Sequence, residues 1–242
     1  MAGRKLQTLD GDGKANRIKS GIDGLDEALK GGIPVGDITL ITGTPGSGKT
    51  TFCMQVLSYG AKNDEIGVYF TLEESAEDII EQFQTFDPSI KQSISEGKLK
   101  VMQIPLTDYE SFKQIITSEI EATGATRVVI DSVTYFQMFF SDIMSIRKAI
   151  IEVSTILKNE GCAGFLVGEV SYGENKLSTF GVEEFATDGV IALYLVQKND
   201  TFLRALRIVK MRNTNHLTKL CPIDITDKGI VVYPNAELFA EV

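Results

Sequence analysis

The sequence predicts an α/β fold with a mainly parallel central sheet, flanking helices and C-terminal antiparallel strands. Three observations predict it. The string GTPGSGKT at Gly43 to Thr50 stands between an apolar, β-branched run and a run with helical spacing. From Arg17 onward, strand-like and helix-like segments alternate, as a parallel sheet covered on both faces requires. After Gly189 the alternation gives way to strand upon strand.

The elements follow in order. DITLIT (Asp37 to Thr42) reads as a buried strand and TFCMQVLSYGA (Thr51 to Ala61) as the helix after the glycine-rich loop. GVYFTL (Gly67 to Leu72) is a strand, followed by a helix from Ser75 to about Phe86. KLKVMQI (Lys98 to Ile104) is a strand, SFKQIITSEIEAT (Ser111 to Thr123) an amphipathic helix, and RVVID (Arg127 to Asp131) a short buried strand. A long helix runs from about Asp142 to Asn159, and GFLVGEV (Gly164 to Val170) is the next strand. VIALYLV, FLRALRIVKMR, LTKLCPIDI and GIVVY are the late antiparallel additions. Residues 1–16 read as a polar, flexible segment, and residues 17–242 as a single domain. DGDG (Asp10 to Gly13) lacks the further oxygen ligands and closing Glu of a calcium loop.

Composition narrows the function classes. A formal net charge of −9 weighs against broad electrostatic binding to nucleic acid or acidic lipid. No apolar run approaches the ~20 residues of a membrane span, and the N-terminal residues carry no apolar signal stretch. A cytoplasmic protein with no direct membrane insertion is expected. Cys53, Cys162 and Cys221 are widely spaced and form no CxxC pair, so they read as small core residues.

GTPGSGKT fits the phosphate-loop pattern, in which backbone N–H groups and a helix N-terminus face a nucleoside triphosphate. Lys49 would reach the β- and γ-phosphates, and Thr50 would place its hydroxyl on Mg²⁺. Asp131 ends an apolar strand, where open α/β sheets bind ligands, and would hold the metal directly or through water. Glu73 and Glu74 follow another strand at the same sheet edge. Either could polarise an attacking water, or both could simply open a helix at its positive end. Lys210 and Arg212 stand two apart on an expected strand and so share a face, either as a phosphate clamp or as a solvated edge. Glu169 could sense a γ-phosphate or be an ordinary strand end. His216, the only histidine, has no nucleophilic partner in the pattern. YFQMFF (Tyr135 to Phe140) reads as core or as a subunit contact.

At this point the chain resembles the KaiC-type branch of the RecA-like ATPases. Ser20 to Phe52 matches that family's entry segment, TLEES (Thr71 to Ser75) its paired glutamates, and VVIDSVT (Val128 to Thr134) its Walker B strand. FGVEEFATDGVIAL (Phe180 to Leu193), IVKMRNTNH (Ile208 to His216) and ITDKGI (Ile225 to Ile230) match its late signatures. The resemblance implies a RecA-like fold and an ATP site with Mg²⁺, shared between neighbours in a homo-oligomeric ring, typically a hexamer. It implies that Thr44, Pro45, Gly46, Ser47, Gly48, Lys49, Thr50, Thr51 and Phe52 hold the nucleotide. Glu73 would activate water with help from Glu74. Lys210, Met211 and Arg212 would reach the nucleotide of the next subunit, with Thr214, His216, Thr226 and Asp227 lining it from that same neighbour. Thr85 would lie near the base or sugar.

The resemblance has departures. The cyanobacterial clock protein of this family carries two such domains, and one is read here. Where its second domain has a Ser-Thr phosphoacceptor pair, this chain reads EEF (Glu183 to Phe185), so neither a clock nor an autokinase is inferred. Regulatory or signalling ATP hydrolysis is the leading expectation. The alternatives are a nucleotide-gated assembly module that recruits an unknown protein partner, like the archaellum's KaiC-like subunit, and a RadA-like DNA-stimulated ATPase. The loop SYGENKLST (Ser171 to Thr179), where such DNA-dependent relatives make contact, is not basic.

Overall fold

The structure, a computed structural model, describes residues 16–105, 107–173 and 176–238. The flexible segment expected before Asn16, with its DGDG string, lies outside the described residues. A small antiparallel ribbon pairs β1 (Arg17–Ile18) with β2 (Ile33–Pro34) around helix α1 (Leu25–Ala28). The alternating core follows as β3 (Ile38–Gly43), α2 (Lys49–Lys62), β4 (Gly67–Thr71), α3 (Ala76–Gln84), α4 (Ile90–Ser95), β5 (Leu99–Gln103), α5 (Tyr109–Thr123) and β6 (Arg127–Asp131). A 3₁₀ turn (Val133–Met138) leads to α6 (Ile143–Asn159) and β7 (Ala163–Glu169). The chain then adds α7 (Glu183–Ala186), β8 (Gly189–Lys198), β9 (Thr201–Met211), β10 (Cys221–Thr226) and β11 (Gly229–Val232).

One sheet of nine strands results, in the order β11-β10-β9-β8-β3-β7-β6-β4-β5. The run from β8 to β5 is parallel, and β9, β10 and β11 are antiparallel additions. This is the predicted architecture. Its strands alternate between two cores, because successive side chains point to opposite faces. Ile41, Tyr69, Val129 and Phe165 pack with Phe52, Val56 and Leu57 of α2 on one face. Leu40, Val68, Phe70, Val128 and Ile130 pack with Ile116, Ile120 and Val153 of α5 and α6 on the other. All six residues of β3 are buried, and β3 is the fifth of the nine strands, so the phosphate loop leaves the middle of the sheet.

Helix starts follow capping chemistry. The carboxyl of Asp108 accepts from Ser111 N–H at 2.8 Å, so α5 begins at Tyr109, two residues before the sequence reading. Asp142 caps α6 in the same way, and Ser75 caps α3. LTKLCPIDI is strand only from Cys221, and residues 217–220 lie outside it. The three cysteines are buried core residues, as expected. Of YFQMFF, Phe136 is buried, Phe139 and Phe140 pack on Tyr109, and Met138 is 68% exposed. Among the described residues no helix is long and apolar enough to cross a membrane.

A buried cation lies at the edge of the sheet opposite the phosphate loop. The Arg127 guanidinium makes a paired contact with Glu65 at 2.6 and 2.9 Å and donates to the carbonyls of Lys19 and Val56. A Cβ on Gly60 would lie 2.6 Å from its Nε, so glycine is what lets α2 pass this side chain.

Candidate functional site

The carboxyl ends of β3, β7, β6 and β4 lie in that order along one edge of the sheet. They carry the phosphate loop, Glu169, Asp131 and Glu73 respectively. The loop has the backbone that an anion site needs. A Cβ on Gly43 would lie 2.3 Å from the Leu193 carbonyl, and Gly48, the α2 N-cap, has φ +104°. No side chain caps α2, whose first turn directs its N–H groups toward the loop. Among the described residues, the buried hydroxyls of Thr44, Ser47 and Ser132 have no hydrogen-bond partner. Uncapped amides and unpartnered hydroxyls fit a bound triphosphate. Pro45 and Gly46 are exposed at the loop tip, Thr51 is half-buried, and the Phe52 side chain points into the core.

Lys49 is buried and donates to the carbonyls of Gly43 and Thr44 at 3.0 and 3.2 Å. Burial lowers its pKa, against the opposing pull of Glu169 and Asp131. Asp131 is pushed up to about 6 by burial, although the Tyr69 hydroxyl donates to it and Lys49 stands nearby. Thr50 is hydrogen-bonded to the same tyrosine hydroxyl, so Thr50, Tyr69 and Asp131 form a chain. Threonine and aspartate oxygens suit Mg²⁺, and a buried carboxylate wants a cation beside it. The peptide joining Asp131 to Ser132 is cis. Tyr69 went unremarked in the sequence. Its signal is a tyrosine inside an apolar strand, since a buried hydroxyl must find a partner.

Glu73 and Glu74 are exposed just beyond β4, where Thr71 pairs with Asp131 in register. The Glu73 carboxylate is hydrogen-bonded to Tyr135, whose hydroxyl is pushed up to about 12 by burial and then by that bond. Glu74 accepts from Gln82 Nε2 at 3.2 Å. The structure therefore gives the two glutamates different neighbours. The Glu169 main-chain N–H donates to Thr134 Oγ1 at 3.1 Å, and its carboxylate is the largest attractive charge on Lys49.

The late basic residues are spread along β9. Arg204 Nε donates to Gly46 O at 3.3 Å, at the loop edge. Lys210 and Arg212 lie at the other end, where Val190 pairs with both Leu40 and Lys210. Arg212 N–H bonds the carbonyl of Asp188, whose own N–H bonds Ile38 O. From that level to Gly43 is five residue steps of about 3.3 Å, roughly 16 Å along the strand. Arg212 is not on the strand, as the sequence reading had it. β9 ends at Met211, because Asn213 turns the chain with φ +54°. Met211 is buried, its methyl against Gly189. Lys210 Nζ donates to the carbonyls of Glu184 and Thr187.

Thr214 and His216 stay at this opposite edge, Thr214 accepting from Arg17 at 2.9 Å. Thr226 and Asp227 do not join them. They form the β10–β11 turn, which packs on this chain's own α2. Ile225 and Ile230 lie against Gly48, and Gln55 bonds Ile230. That turn therefore lies beside this chain's own phosphate loop, apart from Thr214 and His216. Thr85 is exposed at the end of α3, its hydroxyl on Gln82 O. The adjacent Phe83, Phe86 and Asp87 wall a 290 Å³ cavity with Gln55, Tyr59 and Lys228.

Around Arg212 the opposite edge holds a charged cluster. Asp37 is pushed up to about 6 by burial and by Asp188, against Lys158, Arg17 and Arg212. Its unfolded value lies near 3.8, so the folded chain holds the extra proton between the two. This contribution to stability is full below about pH 4 and is lost as pH rises through about 6. Screening at this partly exposed site leaves about 1 to 2 kcal/mol. Denaturant midpoints without nucleotide or metal should fall across that window, Asp131 adding to the slope. Asp37→Asn should fall less steeply, and an unchanged slope would refute this account of Asp37.

Comparison with known proteins agrees with this geometry. A family model described as "ATPase: KaiC" matches residues 18–237. The UPF0273 protein PH0284 of Pyrococcus horikoshii is 35% identical over 239 residues, covering 92% of this chain and 96% of that protein. The circadian clock oscillator protein KaiC of Synechococcus elongatus is 32% identical over 229 residues, covering 90% of this chain but 44% of that protein. The crystal structure of the KaiC-like protein PH0186 from Pyrococcus horikoshii superposes with a TM-score of 0.83 at 38% identity, covering 90% of this chain and 99% of that one.

Proposed function

The chain belongs to the KaiC family of ATPases, and from that premise we propose that it hydrolyses MgATP at sites shared between neighbouring copies in a closed homo-oligomeric ring, as a regulatory ATPase. One observation carries the reading. The phosphate loop, Asp131 and Glu73 occupy one edge of the sheet, and Lys210 and Arg212 the opposite edge. No copy can bring its own pair of cations to its own phosphates. A head-to-tail contact between copies brings them together, and repetition of that contact closes a ring.

Within such a site each residue has a task. The α2 amides and Lys49 bind the phosphates. Thr50 and Asp131 would hold Mg²⁺, which would supply charge neutralisation to the phosphates. Glu73 orients a water and takes its proton, and the neighbour's Arg212 stabilises the charge on the transferred group. The 290 Å³ cavity near Thr85 and the β10–β11 turn would take the base.

Native mass by light scattering, with no nucleotide, Mg-ADP and Mg-ATP, tests the proposal alongside phosphate release. ATP should promote a ring-sized species, Arg212→Ala should weaken it, and chelating the metal should abolish turnover. A monomer under every condition would overturn the shared site. Rings without hydrolysis would instead make the protein an ATP-gated assembly module.

A further inference from the structure

Helix α7 and its connection to β8 grip both cations of the opposite edge. Glu184 and Thr187 offer their carbonyls to Lys210, and Asp188 takes Arg212 at main chain and side chain alike. Asp188 is 5% exposed. One carboxyl oxygen accepts from Arg212 Nη1 at 2.9 Å. The other accepts from Ile38 N–H at 3.0 Å and Lys158 at 2.7 Å. Against the upward push of burial, the bonds from Lys158 and Ile38 hold this carboxyl below its usual range. Asp188 is thus an ionised, immobile anchor tied to the first residue of β3.

Arg212 itself is 58% exposed at the side chain. One of its N–H groups is taken by Asp188, and among the described residues the guanidinium fork has no other side-chain partner, which leaves donors to serve a phosphate. A fixed guanidinium with outward donors does not have to leave its carboxylate to reach an anion. The segment beyond is fastened as well, since Arg17 holds Thr214 at 2.9 Å.

We propose that Asp188 is a positioning residue for catalysis: it presents Arg212 in a fixed orientation to the nucleotide of the neighbouring copy. The proposal rests on the shared-site reading above. It says that the ordering of a long, exposed side chain is achieved on folding, before ATP arrives. Asp188 touches no substrate and acts only through Arg212.

A double-mutant cycle on the full chain tests it, with kcat, KM for ATP and native mass measured for wild type, Asp188→Asn, Arg212→Ala and the double variant. Asp188→Asn should lower kcat by about 10- to 100-fold, because small misplacements of a transition-state group are costly. KM and native mass should stay near wild type. In the Arg212→Ala background the same substitution should cost nothing further. A merely structural role would instead lower mass or stability and would add to the Arg212→Ala loss. If Arg212→Ala is impaired while Asp188→Asn turns over normally, or if the two losses add, the proposal is overturned alone. If Arg212→Ala turns over like wild type, the shared-site reading falls and takes the proposal with it. Should Asp188→Asn fail to fold, Asp188→Glu keeps the charge, moves it by one methylene, and is read in the same cycle with the same outcomes.

Discussion

Glu73→Gln is expected to lower kcat for ATP by about 10²- to 10⁴-fold, the usual contribution of a positioned general base, while the affinity for MgATP stays near wild type. The reason is local. Glu73 lies two residues beyond Thr71, which pairs with Asp131, so both carboxylates stand at the same edge of the sheet. Glu73 is exposed to the crevice, and Tyr135 holds it from the adjoining 3₁₀ turn. Glutamine keeps the size and the bond to Tyr135 but cannot accept a proton. Single-turnover phosphate release and nucleotide binding, measured side by side, separate the two effects. Undiminished turnover would remove Glu73 as the base and leave Glu74, beside Gln82, as the carboxylate to test.

Arg212→Ala should cost about 10³-fold or more in kcat, the scale of an arginine supplied to a phosphoryl group. The more telling result comes from mixing. A Glu73→Gln subunit lacks a base but keeps its cation, and an Arg212→Ala subunit lacks the cation but keeps its base. Each is inactive alone. At protein and MgATP concentrations high enough for both variants to assemble, about a quarter of the contacts in equimolar rings with random order pair an intact Glu73 with an intact Arg212 from the next copy. Turnover should return to about that fraction of wild type. Mixed rings as inactive as their parents would mean that Arg212 acts within its own chain, which the roughly 16 Å between the two edges opposes.

The fold was legible because its signals are local. The run RVVID is β6 to the residue, since an apolar strand bounded by turns needs no distant information. The phosphate loop is likewise written in consecutive residues. What stayed hidden depends on contacts between residues far apart in the chain. Tyr69 meets Asp131 across 62 positions, and Asp188 meets Arg212 across 24, so neither pairing leaves a pattern in its own segment. The resemblance named Thr214, His216, Thr226 and Asp227 together. It could not separate them by sheet edge, because that separation follows from β10 and β11 folding back onto α2. The shared face assumed for Lys210 and Arg212 failed at one residue, where the left-handed Asn213 ends the strand.

The separation of the two sheet edges also has an arithmetic consequence. If each complete site needs one edge from each of two copies, a lone chain has none. An open row of n chains has one site fewer than chains, and only a closed ring has as many sites as chains. Specific activity then becomes a count of contacts rather than of molecules. Dilution alone would switch the protein off, and closure of the last gap would restore the end subunits without any change in their own structure.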